Sequence, residues 1–341
     1  MRAVGFKKSL PISDPKALID IELERPEPRG RDLLVAVAAV SVNPVDTKVR
    51  RGGDPAHGEG QVLGWDAAGT VAAVGPDASL FKPGDAVYYA GSRGRPGCNA
   101  EFHLVDERIV GPKPSSLTFA EAAALPLTAI TASELLFDRI GVKRGDADRR
   151  SLLIVGGAGG VGSMAIQLAR KLTALTVIAT ASRRKTDAWV RRLGAHGVVD
   201  HSKGLAAGLK ALSLSNVDIV LALSGTTQHA AEIAQVIAPQ GHLGLIEGAA
   251  ALKAFDPAPL FSKSIGIHLE LMFTRAMFET PDMIAQHRLL VELAALVDRG
   301  AIRTTLSAVV GPIDAAHLMK AHALLESGKA IGKLVLEGWP G

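Results

Sequence analysis

The sequence predicts an α/β protein in which a β-rich first third precedes a doubly wound parallel sheet. Three observations carry that expectation. Residues 33–42, 69–74, 85–90 and 101–105 are short β-branched or alternating runs, divided by punctuation such as Lys82-Pro-Gly-Asp85. From residue 151 onward, strand-like and helix-like segments alternate, with strands expected at 151–155, 174–180, 197–199, 217–223, 241–246 and 265–271. At the head of that alternation, Ser151-Leu-Leu-Ile-Val155 enters Gly156-Gly-Ala-Gly-Gly-Val-Gly162, and the helical pattern Ser163-Met-Ala-Ile-Gln-Leu-Ala-Arg170 leaves it.

In chain order, the spacing of the first strands suggests a compact barrel or sandwich rather than βαβ units. Thr118 with Glu121 forms a candidate capping box for a helix whose apolar spacing runs over residues 122–136. A polar segment, 141–150, separates this helix from the alternating region. After the sixth strand come a helix at 283–299, a strand at 306–309, a helix at 312–327 and a last strand at 333–336.

Bulk properties narrow the function. A chain of 341 residues exceeds one ordinary core and suits two domains. With 48% hydrophobic and 21% charged residues, the composition is that of a folded soluble protein. A net charge of +4, 4% aromatics and no long basic run give no reason to expect nucleic acid or a membrane surface. Cys98 stands alone, which excludes an intramolecular disulfide and a cysteine-built zinc site. Residues 1–16 carry charges and prolines where a signal peptide needs an apolar core, so a reducing cytoplasm is the expected location. Residues 152–169 are uncharged and long enough to raise a transmembrane question, but the glycines inside favour a buried βα unit.

Gly157, Gly159 and Gly162 satisfy G-x-G-x-x-G, and Gly160 and Val161 complete the loop. The first glycine is expected to make the turn, the second to let a pyrophosphate approach the backbone, and the third to let helix and strand pack. The free N–H groups and positive dipole end of the helix would face the phosphates. An NAD site would place an acid about 20 residues further on, at the ribose 2′-hydroxyl. Here the second strand ends Ala179-Thr-Ala-Ser182 and continues Arg183-Arg-Lys185. With no carboxylate to repel a 2′-phosphate and cations to hold one, NADPH is expected, bound by Ser182, Arg183 and Lys185. Arg184, Arg191 and Arg192 are assigned to the solvated helix surface.

Further motifs extend the pattern along the chain: Val42-Asn-Pro-Val-Asp-Thr47, Leu63-Gly-Trp-Asp-Ala-Ala-Gly69, Phe81-Lys-Pro-Gly-Asp85, Ala100-Glu-Phe102, Leu125-Pro-Leu-Thr-Ala-Ile-Thr131 and Gly328-Lys-Ala-Ile-Gly-Lys-Leu-Val-Leu336. With these, the whole chain resembles the medium-chain dehydrogenase/reductases, and more narrowly their quinone oxidoreductase branch and the zinc-type alcohol dehydrogenase-like proteins. One departure is a longer loop between Gly145-Asp146 and Leu153. The resemblance implies a GroES-like β-barrel catalytic domain over 1–128 and 274–341, a Rossmann NADP-binding domain over 129–273, and an active site in the cleft between them. It also implies a homodimer formed through edge strands near Ile265–Leu271.

Zinc alcohol dehydrogenases of the superfamily hold catalytic metal with a Cys, a Gly-His-Glu motif and a further Cys or acid. The matching positions here are Asn43, Gly64-Trp65-Asp66 and about Leu127. Amide, indole and alkyl groups are poor zinc ligands, so no metal is expected. Without a Lewis acid an unactivated alcohol is a poor hydride donor, whereas quinones and α,β-unsaturated carbonyls accept hydride readily, because the charge spreads over a conjugated oxygen. Residue by residue, the resemblance makes Asn43 an amide donor to that oxygen, Asp46 an orienter of the same loop, Thr128 a hydroxyl near the nicotinamide and Trp65 a pocket wall. Tyr88 and Tyr89 are either a proton source or ordinary strand residues. The small-molecule reductase reading competes with a zinc alcohol dehydrogenase with unusual ligands, and with an NADPH-binding protein without physiological catalysis.

Overall fold

In the computed structural model, which describes residues 1–55 and 60–340, the chain divides into a discontinuous first unit, Met1–Ile130 with Phe273–Gly341, and a second unit, Thr131–Met272. The first unit opens with β1 (Arg2–Phe6), β2 (Ile19–Glu22), β3 (Asp32–Ser41), β4 (Gln61–Val62), β5 (Ala67–Val74), β6 (Ala86–Tyr89), β7 (Phe102–Asp106) and β8 (Val110–Pro112). The second unit carries β9 (Ser151–Val155), β10 (Thr176–Thr180), β11 (Gly197–Val199), β12 (Val217–Ala222), β13 (Ile237–Leu245) and β14 (Gly266–Leu269). The chain then returns to the first unit for β15 (Leu306–Gly311) and β16 (Lys333–Glu337).

The first unit is organised on β3. Its uninterrupted Leu-Leu-Val-Ala-Val-Ala-Ala-Val core is mostly buried and pairs antiparallel with β5, β7 and β16. The main sheet runs β15-β16-β3-β5-β6-β8, and a small sheet, β2-β1-β4, stands apart from it. In β16, Val335 and Leu336 lie opposite Ser41 and Val40. That register brings Lys333, at the head of the last strand, close to the end of β3.

The helix expected over 122–136 is broken. Phe119–Ala123 is capped as expected, Thr118 receiving the Glu121 N–H at 3.2 Å and giving its own N–H to the Glu121 carboxylate at 2.9 Å. A second helix, Pro126–Ser133, follows and runs into a π-helical turn, Glu134–Arg139. Pro126 explains the break: it lacks an N–H and disfavours helical geometry at Leu125, yet it is well suited to start a helix. The combined run Phe119–Arg139 is long and apolar enough to cross a membrane, and 89% of its most apolar 18-residue window is buried inside the protein.

The second unit is a parallel sheet in the order β11-β10-β9-β12-β13-β14. This is the doubly wound Rossmann order, which reverses direction beside β9. Its inner strands are continuous apolar runs because helices cover both faces of such a sheet. The uncharged stretch that raised the transmembrane question is β9, the glycine turn and the helix Gly160–Leu172.

Candidate functional site

The glycine loop divides its labour differently from the simple expectation. The left-handed turn falls on Gly156, with φ +88°, one residue before the glycine expected to make it. Gly157 is a packing glycine, since a Cβ there would stand 2.8 Å from the Ala179 Cβ on β10. A Cβ on Gly162 would lie 2.4 Å from the Gly156 carbonyl oxygen, so helix and strand touch there as expected. Gly159 differs from both, its nearest neighbour being the Gly156 oxygen at 3.5 Å, an ordinary contact. The protein leaves the space beside Gly159 open, as the approach of a phosphate requires.

Gly159 also caps the helix Gly160–Leu172, whose first internal bond runs from the Ser163 N–H to the Gly159 carbonyl at 2.9 Å. The amides of Gly160, Val161 and Gly162 therefore belong to the unsatisfied first turn, where the helix dipole favours an anion. Thr180 Oγ1 receives the Gly156 N–H at 3.0 Å and pins the loop to the end of β10. These residues fit a dinucleotide pyrophosphate.

The chain leaves β10 with Ser182, Arg183, Arg184 and Lys185 all exposed. Arg183 starts the helix Arg184–Arg192 and gives its N–H to Thr186 Oγ1 at 3.1 Å. Arg191 is bound to Asp187 at 2.8 Å, and Arg192 lies 4.7 Å above the Trp189 ring, so both serve the helix surface as expected. Trp189 Nε1 donates to Ser163 Oγ at 2.8 Å, tying the cation-bearing helix to the glycine-loop helix.

In the first unit, Asn43, Asp46, Trp65 and Thr128 are all buried. Asn43 ends the extended segment and caps the helix Pro44–Arg51, where the Asp46 carboxylate accepts the Asn43 N–H at 2.7 Å. Asp46 is thus a capping residue of this helix. Burial pushes the Asp46 carboxyl up to about 7, against the downward pull of the Asn43 N–H. Trp65 donates Nε1 to the Ser92 carbonyl at 3.2 Å and meets Phe273 edge to face. It is a core residue of this unit, 2% exposed, rather than an open wall. Thr128 spends its hydroxyl hydrogen on the Leu125 carbonyl at 3.1 Å.

These positions meet at Asp66. Its Oδ1 accepts the Leu127 N–H at 2.9 Å, in the first turn of the helix that starts at Pro126. Its Oδ2 accepts Asn43 Nδ2 at 3.1 Å and Lys333 Nζ at 2.9 Å. Asn43 Nδ2 also reaches the Ser41 carbonyl at 3.3 Å, so both amide hydrogens have partners within the protein. The Asn43 amide therefore serves this buried network, where sequence reasoning expected a donor to a substrate oxygen. Burial pushes the Asp66 carboxyl up, opposed by the Lys333 ammonium and the Leu127 and Asn43 donors.

Lys333 went unnoticed in the sequence. Its only signal was a lysine at the head of the apolar strand Leu334-Val-Leu336, and in the structure it is 3% exposed. The tyrosines resolve toward ordinary strand residues: Tyr88 donates to the Leu290 carbonyl at 2.7 Å, and the Tyr89 hydroxyl lies 3.0 Å from His103 Nδ1. Because His103 Nε2 faces the Pro96 carbonyl at 3.0 Å, Nε2 carries the proton and Nδ1 accepts from Tyr89. Burial raises both phenols well above their ordinary value, which makes them poor proton sources.

The donor set does not fit zinc. The one carboxylate at the centre, Asp66, is already taken up by the Lys333 ammonium, the Asn43 amide and the Leu127 N–H, the Trp65 indole is spent on the Ser92 carbonyl, and burial holds the nearby Cys98 thiol protonated. Among the described residues, no three His, Cys, Asp or Glu side chains form a metal-binding group. A small cavity of about 60 Å³ lies by Ser92, Arg95, Asp106 and Glu279, and none of the four expected catalytic residues lines it. Its volume suits water rather than a quinone.

Comparison with known proteins agrees with this architecture. Residues 29–127 match the alcohol dehydrogenase GroES-like domain family, and residues 193–336 match the zinc-binding dehydrogenase family. A zinc-type alcohol dehydrogenase-like protein of Staphylococcus aureus strain MSSA476 is 40% identical over 98% of this chain and 99% of its own. A crystal structure from Rhizobium etli CFN 42, described as a candidate zinc-dependent alcohol dehydrogenase, is 58% identical with a TM-score of 0.95, covering 100% of this chain and 99% of that one. A quinone oxidoreductase from Coxiella burnetii is 28% identical with a TM-score of 0.79, covering 99% of each chain. A mycobacterial protein solved with NADPH is 28% identical with a TM-score of 0.80, covering 99% of this chain and 100% of that one.

Proposed function

The chain belongs to the medium-chain dehydrogenase/reductase superfamily, in its quinone oxidoreductase-like branch, and from that premise we propose that it is a metal-independent, NADPH-dependent reductase of quinones or α,β-unsaturated carbonyls. The observation that carries this reading is a pairing. The glycine loop and its cationic rim suit a phosphorylated dinucleotide, while a lysine, an amide and an indole take up the ground a metal would need.

Bound NADPH supplies a hydride to the conjugated acceptor. The open face of Gly159 and the amides of Gly160, Val161 and Gly162 receive the pyrophosphate. Ser182, Arg183 and Lys185 receive the 2′-phosphate through charge-assisted hydrogen bonds. Asp46 holds the loop that begins at Asn43, and the hydrogen bonds of Trp65 and Thr128 brace the interior of the first unit. In a conjugated acceptor the incoming charge is delocalised, so orientation and hydrogen bonding suffice without a Lewis acid. We further propose that the enzyme works as a cytoplasmic homodimer.

Because Asn43 and Thr128 spend their hydrogens within the protein, a second reading is an NADPH-binding protein without physiological catalysis. NADPH and NADH oxidation, followed by stopped flow against a panel of quinones and enones, separates the two. The proposal expects turnover of at least one acceptor class with NADPH preferred. Tight NADPH binding with no turnover would establish the second reading. The variant Arg183→Ala is expected to raise KM for NADPH about tenfold, the loss of one charge-assisted contact, while leaving NADH kinetics unchanged.

A further inference from the structure

We propose that the buried ammonium of Lys333 does in this chain the organising work of a metal ion, drawing separate backbone segments onto one positive centre and keeping a divalent cation out. The inference deepens the metal-independent reading above and rests on the first unit alone.

All three ammonium hydrogens have acceptors: the Val42 carbonyl at 3.0 Å, Asn43 Oδ1, and Asp66 Oδ2 at 2.9 Å. The residues so joined lie 291, 290 and 267 positions away in the chain. Asp66 passes the connection on through Oδ1 to the Leu127 N–H, in the first turn of the helix Pro126–Ser133. One lysine thus links the segment leaving β3, the segment entering β5, the head of β16 and a helix terminus. That is the geometry of a small coordination centre, with oxygen acceptors gathered around a buried cation.

The remaining charged and titratable groups around it agree. Asp46 and Asp66 are carboxyl groups buried close to Lys333, and the Cys98 sulfur lies 3.6 Å from the Asp66 carbonyl. A divalent ion entering here would meet a fixed positive charge with its acceptors already engaged. The descriptions of relatives as zinc-type or zinc-dependent therefore do not carry over to this donor set.

The test uses the full-length protein in three forms: the natural chain, Lys333→Met, and the double variant Lys333→Met/Asp66→Asn. Zinc content is measured by elemental analysis after zinc supplementation and dialysis, and thermal unfolding is followed with and without EDTA. The natural chain is expected to hold substoichiometric zinc and to melt at the same temperature with EDTA. Lys333→Met strands a buried carboxylate and is expected to melt lower, on the order of 10 °C. The double variant removes the stranded charge and is expected to regain most of that loss. If Lys333→Met does not fold, recovery of a folded double variant carries the same information. Stoichiometric zinc whose removal lowers the melting point would overturn the proposal. So would a double variant no more stable than Lys333→Met. Neither readout depends on turnover, so failure here is distinct from failure to find an acceptor.

Discussion

His322 is fully buried on the helix Ala315–Glu326, and neither ring nitrogen has a hydrogen-bond partner among the described residues. Burial and the neighbouring Arg50 charge hold it neutral down to about 3, while burial holds His103 neutral down to about 4. A base whose folded pKa is depressed contributes its full stability above the unfolded value of about 6.5 and loses it as pH falls toward the folded value. Asp46 runs the other way: its folded pKa of about 7 exceeds its ordinary 3.8, so its contribution fades as pH rises through that interval. Across pH 6.5 to 4 each histidine costs up to about 1.4 kcal/mol per pH unit. Replacing His322 with Leu is expected to flatten the acid limb of thermal stability, and an unchanged limb in melting curves from pH 7 to 4 would show that the histidine titrates normally. At this scale a candidate stands out in the sequence where its chemistry is local. Ser182, Arg183 and Lys185 follow one strand and needed no partner to be noticed. The environment of Asp66 was not legible, because its cation comes from a residue 267 positions away, and only the pairing of β16 with β3 brings that residue near.

At the scale of an element, the glycine loop separates folding from binding within seven residues. At Gly162 an added Cβ meets backbone at 2.4 Å, and backbone cannot move aside without parting helix from strand. At Gly159, where φ is −73°, an added Cβ meets nothing closer than 3.5 Å. Gly162→Ala is therefore expected to lower the melting temperature, whereas Gly159→Ala should fold normally and weaken NADPH binding by about 100-fold through lost backbone approach. Melting curves and fluorescence titrations check both, and equal thermal losses in the two variants would refute the division of labour. The parallel strands were legible because burial on both faces writes an unbroken apolar run. In contrast, β1, β2, β4 and β8, of at most five residues, went unread, because no strand–helix alternation frames them as it frames the equally short β11. β13 begins four residues earlier than expected, at Ile237, because it absorbs Pro239-Gln-Gly241 through a kink at Gln240, with φ +60°. Those residues otherwise spell a turn.

At the scale of the whole molecule, the discontinuous first unit lay beyond anything local in the sequence. β16 is the last described strand, yet it pairs with β3, so the C-terminal segment completes a sheet begun at Asp32. Only the resemblance to a family announced that return. The opposite situation holds at the far edge of the parallel sheet. β14 pairs with β13 on one side, and no described strand pairs with its other side. Ile267 and Leu269 are 42% and 57% exposed at alternate positions of β14, so they share one face of this edge, and Leu271, 45% exposed, follows just beyond it. An unpaired strand carrying exposed branched side chains favours association unless something covers it. A second copy of the chain is the cover proposed here, because two identical edges can pair about a twofold axis and bury the same residues twice. The double variant Ile267→Lys/Leu269→Glu places one charge of each sign on that face, so net charge is unchanged while apolar burial is lost. Sedimentation velocity is expected to show a dimer for the natural chain and a monomer for the variant, with both keeping their secondary structure. A natural chain that sediments as a monomer at micromolar concentration would remove the edge strand as an interface.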